Sequence, residues 1–161
     1  GVAPEQAAVD IVLGGGASIV SFNMSEGDIE TLMRQPWTMA SSDGGLSLPG
    51  PSRPHPRRNG AFARRLQRYV RERGVLTLES AIRGMTSLPA QVFGFQDRGE
   101  LRPGAFADVV IFDLTKVVQK ATYQDPHQIA EGIDWVIDNG QVAKKEGEYT
   151  GIRAGRVLRR N

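Results

Sequence analysis

Residues 17–44 read ASIVSFNMSEGDIETLMRQPWTMASSDG, and the fold class turns on how this stretch alternates. Residues 17–22 are short and apolar, as a strand requires. Ser25 stands where an N-cap belongs, with Asp28 three residues on in the pattern of a capping box. Ile29, Leu32 and Met33 then fall at helical spacing and predict a buried stripe, and Pro36 closes the helix. Residues 37–42 form a second apolar run. Just upstream, Pro4 opens EQAAVDIVL, where Ala7, Ala8, Ile11 and Val12 share one side of a predicted helix that GGG at 14–16 stops. Helix, strand, helix, strand at this spacing is α/β organisation with parallel strands. Both strands are apolar on nearly every position, so both faces expect cover. In such folds functional groups gather at the C-terminal ends of strands. Asp43 stands at one of them.

The chain continues as a loop rich in proline (Pro49, Pro51, Pro54 and Pro56), long enough to be functional. Residues 61–73 predict an amphipathic helix with Phe62, Leu66, Tyr69 and Val70 on one face. Thr77 with Ser80 opens another helix through Met85, and Pro89 starts a short turn. After Asp97 the character becomes β: a turn at Pro103-Gly104, a strand at 107–112, and a hairpin from Trp135 to Asp138 whose Asn139-Gly140 is a type I′ turn signal. The change divides the chain into an α/β part, 1–97, and a small β part, 98–161.

Composition bounds the chemistry. The 161 residues are 40% hydrophobic, 24% charged and free of cysteine, so disulfides and thiolate metal sites are excluded. No apolar run reaches the length of a membrane helix and no signal-peptide pattern opens the chain, so the expectation is a cytoplasmic protein without membrane contact. Eight arginines crowd residues 53–73 around a net charge of only +2. The aromatics among them, Phe62 and Tyr69, fall on the expected buried stripe, so no stacking platform for nucleic acid is offered, and a solvated helix face is the expected reading.

Three residues are candidates for chemistry. Asp43, in SDG, is either an ordinary turn aspartate or a carboxylate at a strand end, able to ligate a metal or act as general base toward a metal-bound water. His55 can be a ligand, an acid/base or a loop hydrogen-bonding residue. Arg57 can clamp a carboxylate in bidentate fashion or lie on the surface. His127 reads as an exposed turn residue, and two histidines without cysteine do not make an ordinary zinc site unless carboxylates fill in.

The ordered segments SFNMSEGDIETLMRQPWTMASSDG, RPHPRRNGAFARRLQRYVRERGVLTLESAIRGMTSLPAQVFGFQDRGELRPGAFADVVIFD and GIDWVIDNGQVAKKEGEYTGIRAGRVLRR together resemble the C-terminal part of the N-acyl-D-amino-acid deacylases, in the amidohydrolase superfamily. SDG is common, and GxLxxGxxADVVIFD is shared by amidohydrolases broadly. The HPR…G…F…R block directly after SDG narrows the likeness. The resemblance implies the last two β/α units of a (β/α)₈ barrel, with strands at 17–22 and 37–42, followed by the C-terminal strands of a small β-sandwich. It implies that Asp43 contacts and deprotonates a zinc-bound water and protonates the leaving amine, that Arg57 meets the carboxylate of an N-acyl-D-amino acid, and that His55 shapes the loop. The family's His-x-His pair and later ligands have no counterpart here and would lie upstream of residue 1. Two barrel strands alone would expose edges and apolar faces, so the isolated chain is expected to self-associate or to leave residues 1–45 poorly ordered unless the missing N-terminal part covers them. The alternative is a non-catalytic truncated relative kept for binding or assembly.

Overall fold

A computed structural model describes residues 1–17, 20–45, 50 and 53–159. Helix α1 spans Pro4–Leu13, with proline in its first turn. Helix α2 spans Glu26–Met33, and the Ser25 hydroxyl accepts a bond from the Asp28 backbone N–H at 3.2 Å, the expected cap. Helix α3, Arg57–Arg64, begins four residues before the expected start and runs directly into a π-helical segment, Arg65–Glu72. Helix α4 is Leu78–Arg83, capped by the Thr77 hydroxyl, which accepts from the Ser80 N–H. The turn expected around Pro89 is instead a helix, α5, Ser87–Phe93.

Beyond it lies one antiparallel sheet in the order β1–β2–β3–β4: Val109–Phe112, Ile133–Asp138, Gln141–Lys145 and Glu148–Tyr149. Asn139 (φ 49°) and Gly140 (φ 79°) make the predicted hairpin turn, with Asp138 paired to Gln141. A second tight hairpin follows at Glu146 (φ 51°) and Gly147 (φ 87°), pairing Lys145 with Glu148. It was not expected, because Glu is a poor cue for a turn that needs positive φ.

The core forms where the π-helical segment meets the chain leaving β1. Ala63, Leu66, Tyr69, Val75, Leu76, Ala81 and Val117 are buried together, with Ile29 and Met33 of α2 and Phe112 packed against them. A π-turn admits one residue more per hydrogen-bonded turn than an α-turn. Arg65 lies on the buried side with Leu66 and Tyr69, while Phe62 of α3, expected inside, is half exposed. Most of the arginines are expected away from the core, and Arg65 is the buried exception among the described residues.

Two more corrections concern the first part. Ser18 and Ile19 of the expected strand at 17–22 lie outside the described residues, and Val20–Phe22 has no ladder. Residues 37–42 likewise form no strand; Trp37 lies in a turn. An extended segment becomes a strand only when a neighbour takes its N–H and C=O groups, and no described neighbour runs alongside either one. The only backbone tie of the second to another element is Ala40 N–H to Gly84 O at 2.8 Å, among the described residues. Among the described residues the expected parallel pair is therefore not formed. For the same want of a neighbour the apolar stripe of α1 stays exposed (Val12 at 71%), as does Leu32 of α2.

Candidate active site

Asp43 sits in a left-handed backbone conformation (φ 44°), tolerated by aspartate because its short polar side chain suits local turns. Two serines set that turn. The Ser41 hydroxyl accepts from the Asp43 N–H at 3.1 Å, and the Ser42 hydroxyl accepts from the Gly44 N–H at 3.3 Å. Gly44 lies so close to Arg58 that a Cβ there would stand 2.6 Å from the Arg58 Cγ, which holds this turn against the start of α3.

The start of α3 delivers Arg57. Its Nη2 lies 2.7 Å from Asp43 Oδ2, and its Nε donates to the Asp43 carbonyl at 3.0 Å. One guanidinium thus grips both the side chain and the main chain of Asp43. The Asp43 side chain is 83% exposed, which puts the carboxylate in solvent. His55 completes the group. Its Nδ1 accepts from the Arg57 backbone N–H at 3.0 Å, so in the neutral ring the proton resides on Nε2 and donates to the Tyr123 hydroxyl 3.3 Å away. Tyr123 packs edge-on against both His55 and Phe22, each with ring centroids 5.2 Å apart. Burial pushes the His55 pKa down, the Arg57 charge pushes the same way, and Asp43 partly opposes them.

The three residues singled out in the sequence therefore stand together, Asp43 meeting His55 and Arg57 from twelve and fourteen positions upstream. Tyr123, 68 residues beyond His55, was missed, since nothing in its local sequence marks it. His127, expected to be exposed, is half-buried. Among the described residues no group of three or more His, Cys, Asp or Glu side chains could hold a metal ion. Asp43 offers one carboxylate, already shared with Arg57, and both His55 nitrogens are engaged. These side chains do not fit a zinc ion by themselves. The exposed Asp43 carboxylate can take or give a proton, and the adjacent guanidinium can hold an anion. No described helix is long and apolar enough to cross a membrane.

Three other arginines of the basic segment have partners within the chain: Arg68 with Glu26 at 3.1 Å, Arg73 with Glu30, and Arg71 with three backbone carbonyls.

Residues 6–143 match the amidohydrolase family. The chain is 43% identical over 145 residues to an N-acyl-D-glutamate deacylase of Alcaligenes xylosoxydans xylosoxydans, covering 90% of this chain and 29% of that protein. A crystal structure of D-aminoacylase, described as defining a novel subset of amidohydrolases, superposes with a TM-score of 0.86 at 39% identity, over 97% of this chain and 34% of that one. The N-acyl-D-glutamate deacylase of Bordetella bronchiseptica, solved with zinc and a phosphonate that mimics the tetrahedral intermediate, is 45% identical with a TM-score of 0.73, over 84% of this chain and 28% of that one. The chain thus spans about three tenths of the length of these relatives.

Proposed function

The chain belongs to the amidohydrolase family, and we propose that it is the C-terminal portion of a zinc-dependent member that hydrolyses the amide bond of N-acyl-D-amino acids. The observation that carries this reading is the Asp43–Arg57 pair: a solvent-facing carboxylate and a carboxylate-binding guanidinium, 2.7 Å apart, in a chain this similar to N-acyl-D-glutamate deacylases. Zinc, held by side chains other than those described, would lower the pKa of water toward neutrality. Asp43 takes a proton from the attacking water as general base and returns it to the leaving amine as general acid. Arg57 receives the substrate carboxylate, and His55 holds the backbone of Arg57 in place. An exposed ion pair contributes only ~0–1 kcal/mol, so an incoming carboxylate can exchange with Asp43 on Arg57 at little cost. In this reading residues 1–97 belong to a barrel and 98–161 to a small β-sandwich.

The test uses the complete enzyme. Asp43→Asn abolishes turnover of an N-acyl-D-amino acid with the fold retained by circular dichroism. Turnover within about tenfold of the parent would remove Asp43 from the acid–base role, since a positioned general base contributes ~10²–10⁴-fold. An inactive parent that binds no zinc would favour the non-catalytic relative instead.

A further inference from the structure

Away from Asp43, a crevice of about 340 Å³ opens between the end of α2 and helix α4, with the π-helical segment behind it. Arg34, Arg65 and Arg83 all line it, and none of the lining residues is acidic. The outer two arginines are already engaged: Arg34 faces Glu30 at 3.6 Å, and Arg83 Nη1 donates to the Pro36 carbonyl at 2.8 Å. Arg65 is different. It is 6% exposed, and its Nε is buried with no hydrogen-bond partner. Burial pulls its pKa below the ordinary arginine value, but a guanidinium keeps its charge at neutral pH. Gly84 leaves room for it, since a Cβ at that position would stand 2.9 Å from Arg65 Nη2.

A buried, unpaired charge costs several kcal/mol. A protein that retains one presents it to something of opposite sign. Ser80 lines the same crevice and adds a hydroxyl donor.

We propose that this crevice is an oxyanion site in which Arg65 is the inner ligand and Arg83 with Ser80 the outer ones, taking a carboxylate or a phosphate. The assignment is independent of the Asp43 chemistry. Two sources carry the same group: a free oxyanion, or an acidic side chain from polypeptide beyond this chain.

The probe is inorganic phosphate against chloride at fixed ionic strength, read by the Arg65 Nε–H signal in ¹⁵N NMR of this chain. The signal moves saturably, Arg83→Gln weakens the phosphate affinity about tenfold, as loss of one charge-assisted hydrogen bond predicts, and Arg64→Gln leaves it unchanged. Arg65→Gln abolishes the phosphate-dependent rise in Tm. If that variant fails to fold, the Arg83→Gln titration decides alone. A parallel titration of the complete protein identifies the source. Binding there as well means a free oxyanion, whereas a signal already hydrogen-bonded and deaf to phosphate means an acidic side chain. An Arg65 signal in this chain that phosphate leaves in place, or an affinity that Arg83→Gln does not alter, overturns the proposal.

Discussion

Replacing Arg71 by methionine removes the device that ties the π-helical segment to the chain leaving β1. The Arg71 Nη1 lies 2.7 Å from the Leu114 carbonyl oxygen, 2.9 Å from that of Thr115 and 2.8 Å from that of Val117. One amino group carries two hydrogens, so three acceptors share two full bonds. A hydrogen bond to a charged group contributes ~1.5–3 kcal/mol net. The Arg71 side chain is 27% exposed, so the lower end applies, and two such bonds give about 3 kcal/mol. Its ion pair with Glu72, at 3.9 Å, adds little. Methionine retains most of the aliphatic stem, so the loss is polar rather than steric. The expected result is a folding equilibrium reduced about 150-fold, since each 1.4 kcal/mol is a factor of ten. Urea unfolding followed by the fluorescence of Trp37 and Trp135 reads it as a lower midpoint with unchanged slope. Arg71→Lys keeps the charge with a shorter reach and recovers about half of the loss. A loss below about 0.5 kcal/mol for methionine would show that water replaces the guanidinium freely. Equal losses for lysine and methionine would show that charge is not what the three carbonyls require.

Three further outcomes are expected. Because the folded His55 pKa lies below the unfolded one, the unfolded chain binds more protons between them. This contribution to stability is thus full above about pH 6.5 and is lost as the pH falls to the folded pKa. Arg57, Asp43 and Tyr123 are the groups facing the ring, and His55→Asn should flatten that slope in urea midpoints from pH 5 to 7. Gly132 (φ 77°) lies against the Lys116 backbone, where a Cβ would overlap the carbonyl. Gly132→Ala should cost more than about 2 kcal/mol, combining left-handed strain with a clash that no rotamer relieves; a smaller loss would mean that the 116–132 bridge region yields. The exposed Val12, Phe22, Leu32 and Trp37 predict concentration-dependent association of the isolated chain by sedimentation, and a strict monomer at high concentration would contradict this.

Local chemistry made much of this chain legible. Ser25 with Asp28 and Thr77 with Ser80 announce helix starts because a cap involves residues only three apart. Asn139-Gly140 announces its hairpin because the turn's dihedral demands fall on those two residues. The same locality explains why Asp43, His55 and Arg57 could be named together: the turn and the head of α3 lie within one short stretch of chain. What sequence by itself determined is therefore the set of local elements, the family likeness and the polar trio.

Tertiary structure decided the rest. Whether residues 37–42 become a strand depends on a neighbour supplying ladder hydrogen bonds, and apolar content carries no information about that neighbour. The π-helical segment differs from an α-helix by a single residue in its hydrogen bonds, and the burial of Arg65 beside Leu66, Tyr69 and Val117 is a matter of what packs around it. Tyr123 reaches His55 across 68 positions of chain, and Arg71 meets its carbonyls across 43 to 46. Such contacts are set by how elements close on one another, because a side chain is held by what it touches rather than by what it follows.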